Sequence, residues 1–192
     1  MDFANKEQVE KLLTKCIEGD SRSQRLLYER FYGKMLAVCY RYARDHDEAQ
    51  DIAHEGFIRV FDKLKSFKNT GSLEGWIRRI VVNNAIDYVR AKKKLVFDNE
   101  DETVLGNIYD EEYDLIDINL ANKMKAELVT ELIQKLSPAY KTVFSLYVLE
   151  DYTHKNIADA LGISVGTSKS NLAKAKMKLK ELFNEYSYKL DE

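Results

Sequence analysis

A single proline in 192 residues, with only 8 glycines, leaves this chain few places to turn. Proline and glycine break helices and close tight turns, so their scarcity favours long helices and argues against a turn-rich β protein. The apolar residues agree. Val9, Leu12, Leu13, Cys16 and Ile17 make one stripe of a helix from Phe3 to Glu18. Gly19, Asp20 and Ser21 end it and cap a second helix carrying Leu26, Leu27, Phe31, Leu36, Val38, Cys39 and Tyr42, loosened at Gly33. Asp47 is placed to cap a third, strongly periodic helix through Ile52, Ala53, Phe57, Val60, Phe61 and Leu64. After a short polar loop around Phe67 and Gly71, Ser72 caps a fourth. It runs through Trp76, Ile77, Ile80, Val81, Ala85, Ile86 and Val89 into Lys92, Lys93 and Lys94, cations that suit a helix C-terminus.

From Leu95 to about Ile118 the periodicity fails and acids dominate, the signature of a self-repelling, flexible linker. Helical spacing returns from Leu120 to Leu136. Ser137 before Pro138 then marks an N-cap with proline at the first helical position, opening a helix that buries Val143, Phe144, Leu146, Tyr147 and Leu149. No strand-like alternation persists anywhere. The expected fold is all-α: two small helical domains, residues 1–95 and 119–192, joined by an acidic linker over 96–118.

The last third reads as a helix-turn-helix. Thr153 caps a helix whose Ile157, Ala158 and Leu161 share one face. Gly162 sits where the backbone must turn left-handed, a conformation that glycine reaches without strain. Ile163 fills the corner, and Ser164 caps a second helix carrying Lys169, Lys174, Lys176, Lys178 and Lys180. Such a unit lays its second helix in the DNA major groove.

A net charge of −2 looks wrong for a DNA binder, but the average hides segregation. Between Trp76 and Lys94, six cations (Arg78, Arg79, Arg90, Lys92, Lys93 and Lys94) face one acid, Asp87. Between Asp98 and Asp117 there is no Lys or Arg against Asp98, Glu100, Asp101, Glu102, Asp110, Glu111, Glu112, Asp114 and Asp117. The order basic, acidic, basic is what informs. Several classes fall away. There is no Gly-rich phosphate loop, no metal-spaced Cys/His cluster and no nucleophile motif, so no catalytic residue, cofactor, metal or small-molecule substrate is expected. No apolar run approaches a membrane span and no leader is recognisable. Isolated Cys16 and Cys39 suit buried thiols in a reducing cytoplasm.

Three stretches together resemble the extracytoplasmic-function sigma factors, compact sigma subunits of bacterial RNA polymerase. Asp51-Ile-Ala-His-Glu-Gly-Phe-Ile-Arg-Val-Phe is similar to their core-polymerase-binding helix. Ser72-Leu-Glu-Gly-Trp-Ile-Arg-Arg-Ile-Val-Val-Asn-Asn-Ala-Ile-Asp-Tyr-Val-Arg is similar to their −10 promoter helix. Leu136-Ser-Pro-Ala-Tyr, Tyr152-Thr, Ile157-Ala, Leu161-Gly-Ile-Ser, Gly166-Thr and Lys169-Ser follow their −35-binding fourth region. Any one stretch is weak evidence; the three in this order, with an acidic linker between, are specific.

The resemblance implies partners and roles. The first domain would dock on the clamp helices of the largest polymerase subunit through Asp51, His54, Glu55 and Arg59. Asp51 and Glu55, at i and i+4, share a helix face that can pair with basic residues; a solvated acidic face is the plain alternative. His54 stands where the family usually has glutamine. The loop with Phe67, Lys68 and Asn69 would hold the flipped −10 base, or else serve as a connector with Phe67 buried. Asn83 would meet the −10 element, with Asn84 beside it a competitor for the role. Arg78, Arg79 and Arg90 suit phosphates. Trp76 reads as a core anchor ahead of the alternative, a base-stacking residue.

In the fourth region, Lys169, Ser170, Asn171 and Lys174 are the expected groove-facing residues, with Thr167 and Lys176 on backbone phosphates. Ser168 replaces the family's usual apolar residue, with Val165, Leu172 and Met177 expected to restore packing. Asn171 stands where arginine is common, which implies a shifted −35 preference because Asn reads adenine and Arg guanine. Further implied partners are promoter DNA, the flap of the second-largest polymerase subunit and an anti-sigma factor. The acidic linker is either a tether or an occupant of a basic polymerase channel. A stand-alone helix-turn-helix regulator with an N-terminal sensing or dimerising domain is the main rival reading.

Overall fold

The structure, a computed structural model, describes residues 3, 5–69, 71–97 and 126–188. Among these residues there are helices and turns and no strand. The chain divides into two compact units, Met1–Tyr88 and Val89–Glu192. The acidic stretch expected to be a linker lies, from residue 98 onward, outside the described residues.

The N-terminal unit is built from α1 (Lys6–Ile17), α2 (Ser21–Tyr40), α3 (His46–Lys63), a 3-10 turn (Leu64–Ser66) and most of α4 (Leu73–Ala91). Local chemistry sets most of the ends. Asn5 caps α1 by accepting from the Gln8 N–H at 3.2 Å. Gly19 turns the chain with φ +86°, and Asp20 then accepts from the Arg22 and Ser23 N–H groups to start α2. Asp45, not Asp47, caps α3: its carboxylate takes the Glu48 N–H at 2.8 Å from extended backbone. Asp47 instead lies in the first turn with Glu48, where both acids complement the helix dipole.

The stripes expected from spacing largely form the core. Leu12, Leu13, Cys16, Leu27, Phe31, Cys39, Ile52, Phe57, Val60, Ile77 and Val81 are buried, whereas Ile17 and Leu26 are left exposed. The helix α2 runs through Gly33 without a break. Where α3 meets α4, the backbones come close at Gly56. A Cβ there would stand 3.1 Å from Val81 Cγ2.

The C-terminal unit holds α5 (Lys93–Phe97), α6 (Ala126–Gln134), α7 (Pro138–Phe144) continued by one π turn (Ser145–Leu149), α8 (His154–Leu161) and α9 (Val165–Tyr188). Ser137 caps α7 with Pro138 at its start. Thr153 and Asn156 form a reciprocal capping box on α8. Gly162 adopts φ +66°, and Ser164 accepts the Thr167 N–H at 2.9 Å to open α9. The core is Leu132, Ile133, Leu136, Val143, Leu146, Ile157, Leu161, Leu172, Ala175 and Leu179.

Candidate nucleic-acid and polymerase interface

On α3 the outward row is Asp51, His54, Glu55 and Ile58, all exposed, with Ile58 at 56%. Ile52, Phe57 and Val60 face the core, so that stripe packs rather than docks. The row is not simply solvated. The His54 ring lies parallel to Tyr32 at 5.5 Å between centroids, and Tyr32 stacks on Tyr28 at 4.8 Å. Phe57 closes the cluster from below, 4.8 Å from Tyr28. Partial burial, reinforced by Tyr32, pushes the Tyr28 hydroxyl pKa up to about 12, so it stays a neutral hydrogen-bonding group. Tyr28, Tyr32 and Ile58 were not among the residues expected at this face. The spacing of the α2 tyrosines, i and i+4, was the available signal.

Arg59 is placed differently from its neighbours. Its guanidinium donates to Asp87 on α4 at 2.7 Å and lies 3.6 Å from Glu55. The Asp87 hydrogen bond holds its pKa above the ordinary arginine value. Arg59 thus ties α3 to α4 as well as bordering the exposed row.

In the loop after the 3-10 turn, Phe67 is half-buried and its ring lies 5.3 Å from that of Trp76, at 52°. The two aromatics therefore form one partly open surface. Lys68 is exposed. Asn69 sits in the left-handed region, φ 56°, which asparagine tolerates better than most residues. Its amide donates to Glu10 of α1 at 2.8 Å. The adjacent asparagines of α4 separate cleanly. Asn84 is buried and donates to the Ile52 carbonyl at 2.9 Å, bracing α4 on α3, while Asn83 is exposed. Arg79 and Arg90 are exposed and Arg78 is half-buried.

On α9 the structure corrects several expectations. Asn171 is only 6% exposed and Lys176 only 9%. Neither presents its side chain as a groove-facing or phosphate-facing residue. The inward stripe is set by Ser168, Leu172, Ala175 and Leu179, at i, i+4, i+7 and i+11, and Asn171 falls on its flank. Thr167 is exposed; Lys169, Ser170 and Lys174 are half-buried along the border. Of the residues expected to restore packing, Leu172 does so, whereas Val165 and Met177 are exposed at 42% and 38%.

Ser168 is fully buried and finds a polar partner. Its hydroxyl lies 2.9 Å from Nδ1 of His154, whose ring stacks on Tyr147 at 4.5 Å. The helix-turn-helix thus carries a Tyr–His–Ser connection across its three helical segments.

Two stretches of the chain match known families. Residues 27–95 match Sigma-70 region 2, and residues 126–179 match Sigma-70, region 4. The chain belongs to the sigma-70 family, as an extracytoplasmic-function sigma factor.

Among curated relatives, it is 27% identical over 176 residues to the RNA polymerase sigma-H factor of Pseudomonas aeruginosa, covering 88% of this chain and 91% of the relative. It is 26% identical over 183 residues to the ECF RNA polymerase sigma factor SigW of Bacillus subtilis, covering 90% and 95%. A solved structure of the sigma factor RpoE with the anti-sigma factor NepR from Bartonella quintana aligns with TM-score 0.45 and 18% identity, over 83% of this chain and 96% of that one. This sigma factor binds core RNA polymerase and directs promoter-specific initiation through −10 and −35 recognition and strand opening, rather than acting as a stand-alone regulator. Among the described residues no helix is long and apolar enough to cross a membrane.

Proposed function

We propose a division of this work among named residues. The functional border is taken at residue 95, where the region 2 match ends, with 96–118 as the linker and 119–192 as the −35 domain. The α3 row of Asp51, His54 and Glu55, with Ile58 and the tyrosines behind it, meets the clamp helices of the largest polymerase subunit. An acidic row beside apolar area suits a basic partner helix, because charge sets register while burial supplies affinity.

Phe67 and Trp76 offer flat faces beside Lys68 and Asn69, the components needed to hold an unstacked −10 base. Asn83 reads the −10 element. Arg79 and Arg90, with Arg78, take phosphates along the opening strands. Thr167, Lys169, Ser170 and Lys174 meet the −35 duplex, and the flap of the second-largest subunit holds that domain in place. The protein works by binding and strand opening, without covalent catalysis, in the cytoplasm where polymerase and promoter DNA are. An anti-sigma factor that covers these faces is the expected regulator. The acidic linker acts either as a tether or as a stand-in for nucleic acid in a basic channel.

The observation that carries the −10 assignment is the separation of the asparagine pair: Asn84 is spent on the Ile52 carbonyl, which leaves Asn83 on the surface. The test uses the full chain with bacterial core polymerase and a promoter obtained by selection from random DNA. Asn83→Ala should leave core binding unchanged and reduce permanganate reactivity of −10 thymines. Asp51→Ala with Glu55→Ala should weaken competition for core while sparing the free protein's fold. Equal permanganate reactivity in native protein and Asn83→Ala would overturn the −10 assignment.

A further inference from the structure

With Asn171 buried, base reading falls to the residues that α9 keeps at its surface, and one in the first turn is unaccounted for. Val165 is the first residue of α9 and is 42% exposed, although it stands three residues before Ser168, in line with the inward stripe. A valine there gives the fold little. β-Branched side chains are weaker helix formers than alanine, and this one leaves a large share of its apolar surface exposed.

Its position is nevertheless tightly held. The Ser164 hydroxyl accepts the Thr167 N–H at 2.9 Å and lies 2.8 Å from Thr167 Oγ1, so the first turn is pinned on both sides of Val165. The next residue, Gly166, is exposed, and a Cβ added to it would find only Ser164 Oγ near, at 3.5 Å. The backbone beside the valine is therefore bare enough for a partner to come close. Two methyl groups on a stiff side chain stand at the leading end of the recognition helix.

The leading residues of a recognition helix are those that reach base edges in the major groove. Among the four bases only thymine presents a methyl group there, and small apolar side chains are its natural contact. Lys169, four residues on, lies on the same side of α9 as Val165, and the exposed neighbours Ser164 and Thr167 are polar. The apolar spot is thus continuous with the DNA-binding surface.

We propose that Val165 is a specificity-determining residue of this sigma factor, reading the C5-methyl group of a thymine in the −35 element. The proposal deepens the −35 assignment of the C-terminal unit and rests on it.

The test deletes the methyl from the DNA and the valine from the protein. A −35 element is first selected from random DNA with the native holoenzyme. Each thymine in it is then replaced singly by deoxyuridine, which removes only the methyl, and holoenzyme affinity is measured for native protein, Val165→Ser and Val165→Ile. Losing one buried methyl contact should weaken native binding by about four-fold at one or two adjacent positions. Val165→Ser should bind thymine and deoxyuridine there alike, whereas Val165→Ile, which keeps the methyl groups, should keep the difference. A thermal melt checks that the variants remain folded.

A selected −35 motif whose thymines show no methyl dependence, or a dependence unaltered in Val165→Ser, would overturn the proposal while leaving the −35 assignment intact. Selection that enriches no −35 motif would overturn both.

Discussion

Removing the ring of His154 should cost more than removing the hydroxyl it serves. Ser168 is fully buried, and its hydroxyl hydrogen-bonds Nδ1 of His154 at 2.9 Å. In His154→Ala that hydroxyl is stranded, a loss of about 1–3 kcal/mol. The stack on Tyr147, 4.5 Å between centroids, is lost as well, adding about 0.5–1.5 kcal/mol. The expected total is about 1.5–4.5 kcal/mol. Ser168→Ala removes the same bond but leaves nothing polar buried, and half-exposed His154 can turn Nδ1 to water, so about 0.5–1.5 kcal/mol is expected.

The decisive variant is the pair. His154→Ala with Ser168→Ala should be more stable than His154→Ala alone, by about 1 kcal/mol or more, because the stranded hydroxyl has gone. Near the midpoint that amounts to roughly 4–8 °C for a domain of this size. Amide exchange of α8 and α9, or their circular dichroism on melting, reads the C-terminal unit. Trp76, the chain's one tryptophan, sits in the N-terminal unit, and its fluorescence transition should not move. Strictly additive losses, or a double variant less stable than His154→Ala, would refute the claim that the histidine is there to satisfy the buried serine.

Four further outcomes follow from the same structure. Asn84→Leu should destabilise the N-terminal unit by about 1–3 kcal/mol, since it removes the buried bond to the Ile52 carbonyl and sets a branched apolar side chain in a site shaped for an amide, whereas Asn83→Ala should cost less than about 1 kcal/mol; Trp76 fluorescence melts compare them. Gly56→Leu should cost at least about 2 kcal/mol in the same assay, because a Cβ alone already meets Val81 Cγ2 at 3.1 Å. Glu10→Ala releases the Asn69 amide and removes an acid beside the loop, so affinity for single-stranded −10 DNA should rise by about two- to five-fold in holoenzyme binding assays. Burial pushes Cys16 up to about 11 and Cys39 up to about 12, so both thiols should resist alkylation at pH 8 until the protein unfolds. Their folded pKa values lie above the ordinary thiol value of about 9, so the stability tied to their protons is full below about pH 9. It falls as pH rises toward 12, and Cys39→Ala should flatten that fall in urea titrations.

Much of the architecture was legible from residues four or fewer positions apart. Asp20, Ser137 with Pro138, Thr153, Gly162 and Ser164 act where their spacing implied, because a cap or a left-handed turn is closed by its own neighbours in the chain. The apolar stripes likewise announced four helices before the acidic stretch and the helix-turn-helix after it. Three motifs in order were enough to suggest the family. What spacing could not decide is which of two adjacent residues faces inward. Successive side chains on a helix differ by about 100°, so a stripe drawn from sequence is loose by one position, and the neighbouring helix chooses.

That choice put Asn84 on the Ile52 carbonyl and left Asn83 outside. It joined Arg59 to Asp87, 28 residues away in sequence. It buried Asn171 and Ser168 and turned Val165 out. The sequence by itself determined most of the helices, most of their caps and the family they belong to, because those depend on local hydrogen bonding and periodicity. Only the tertiary structure decided which polar groups remain on the surface to meet polymerase and DNA, because burial is settled by contacts between segments far apart in the chain.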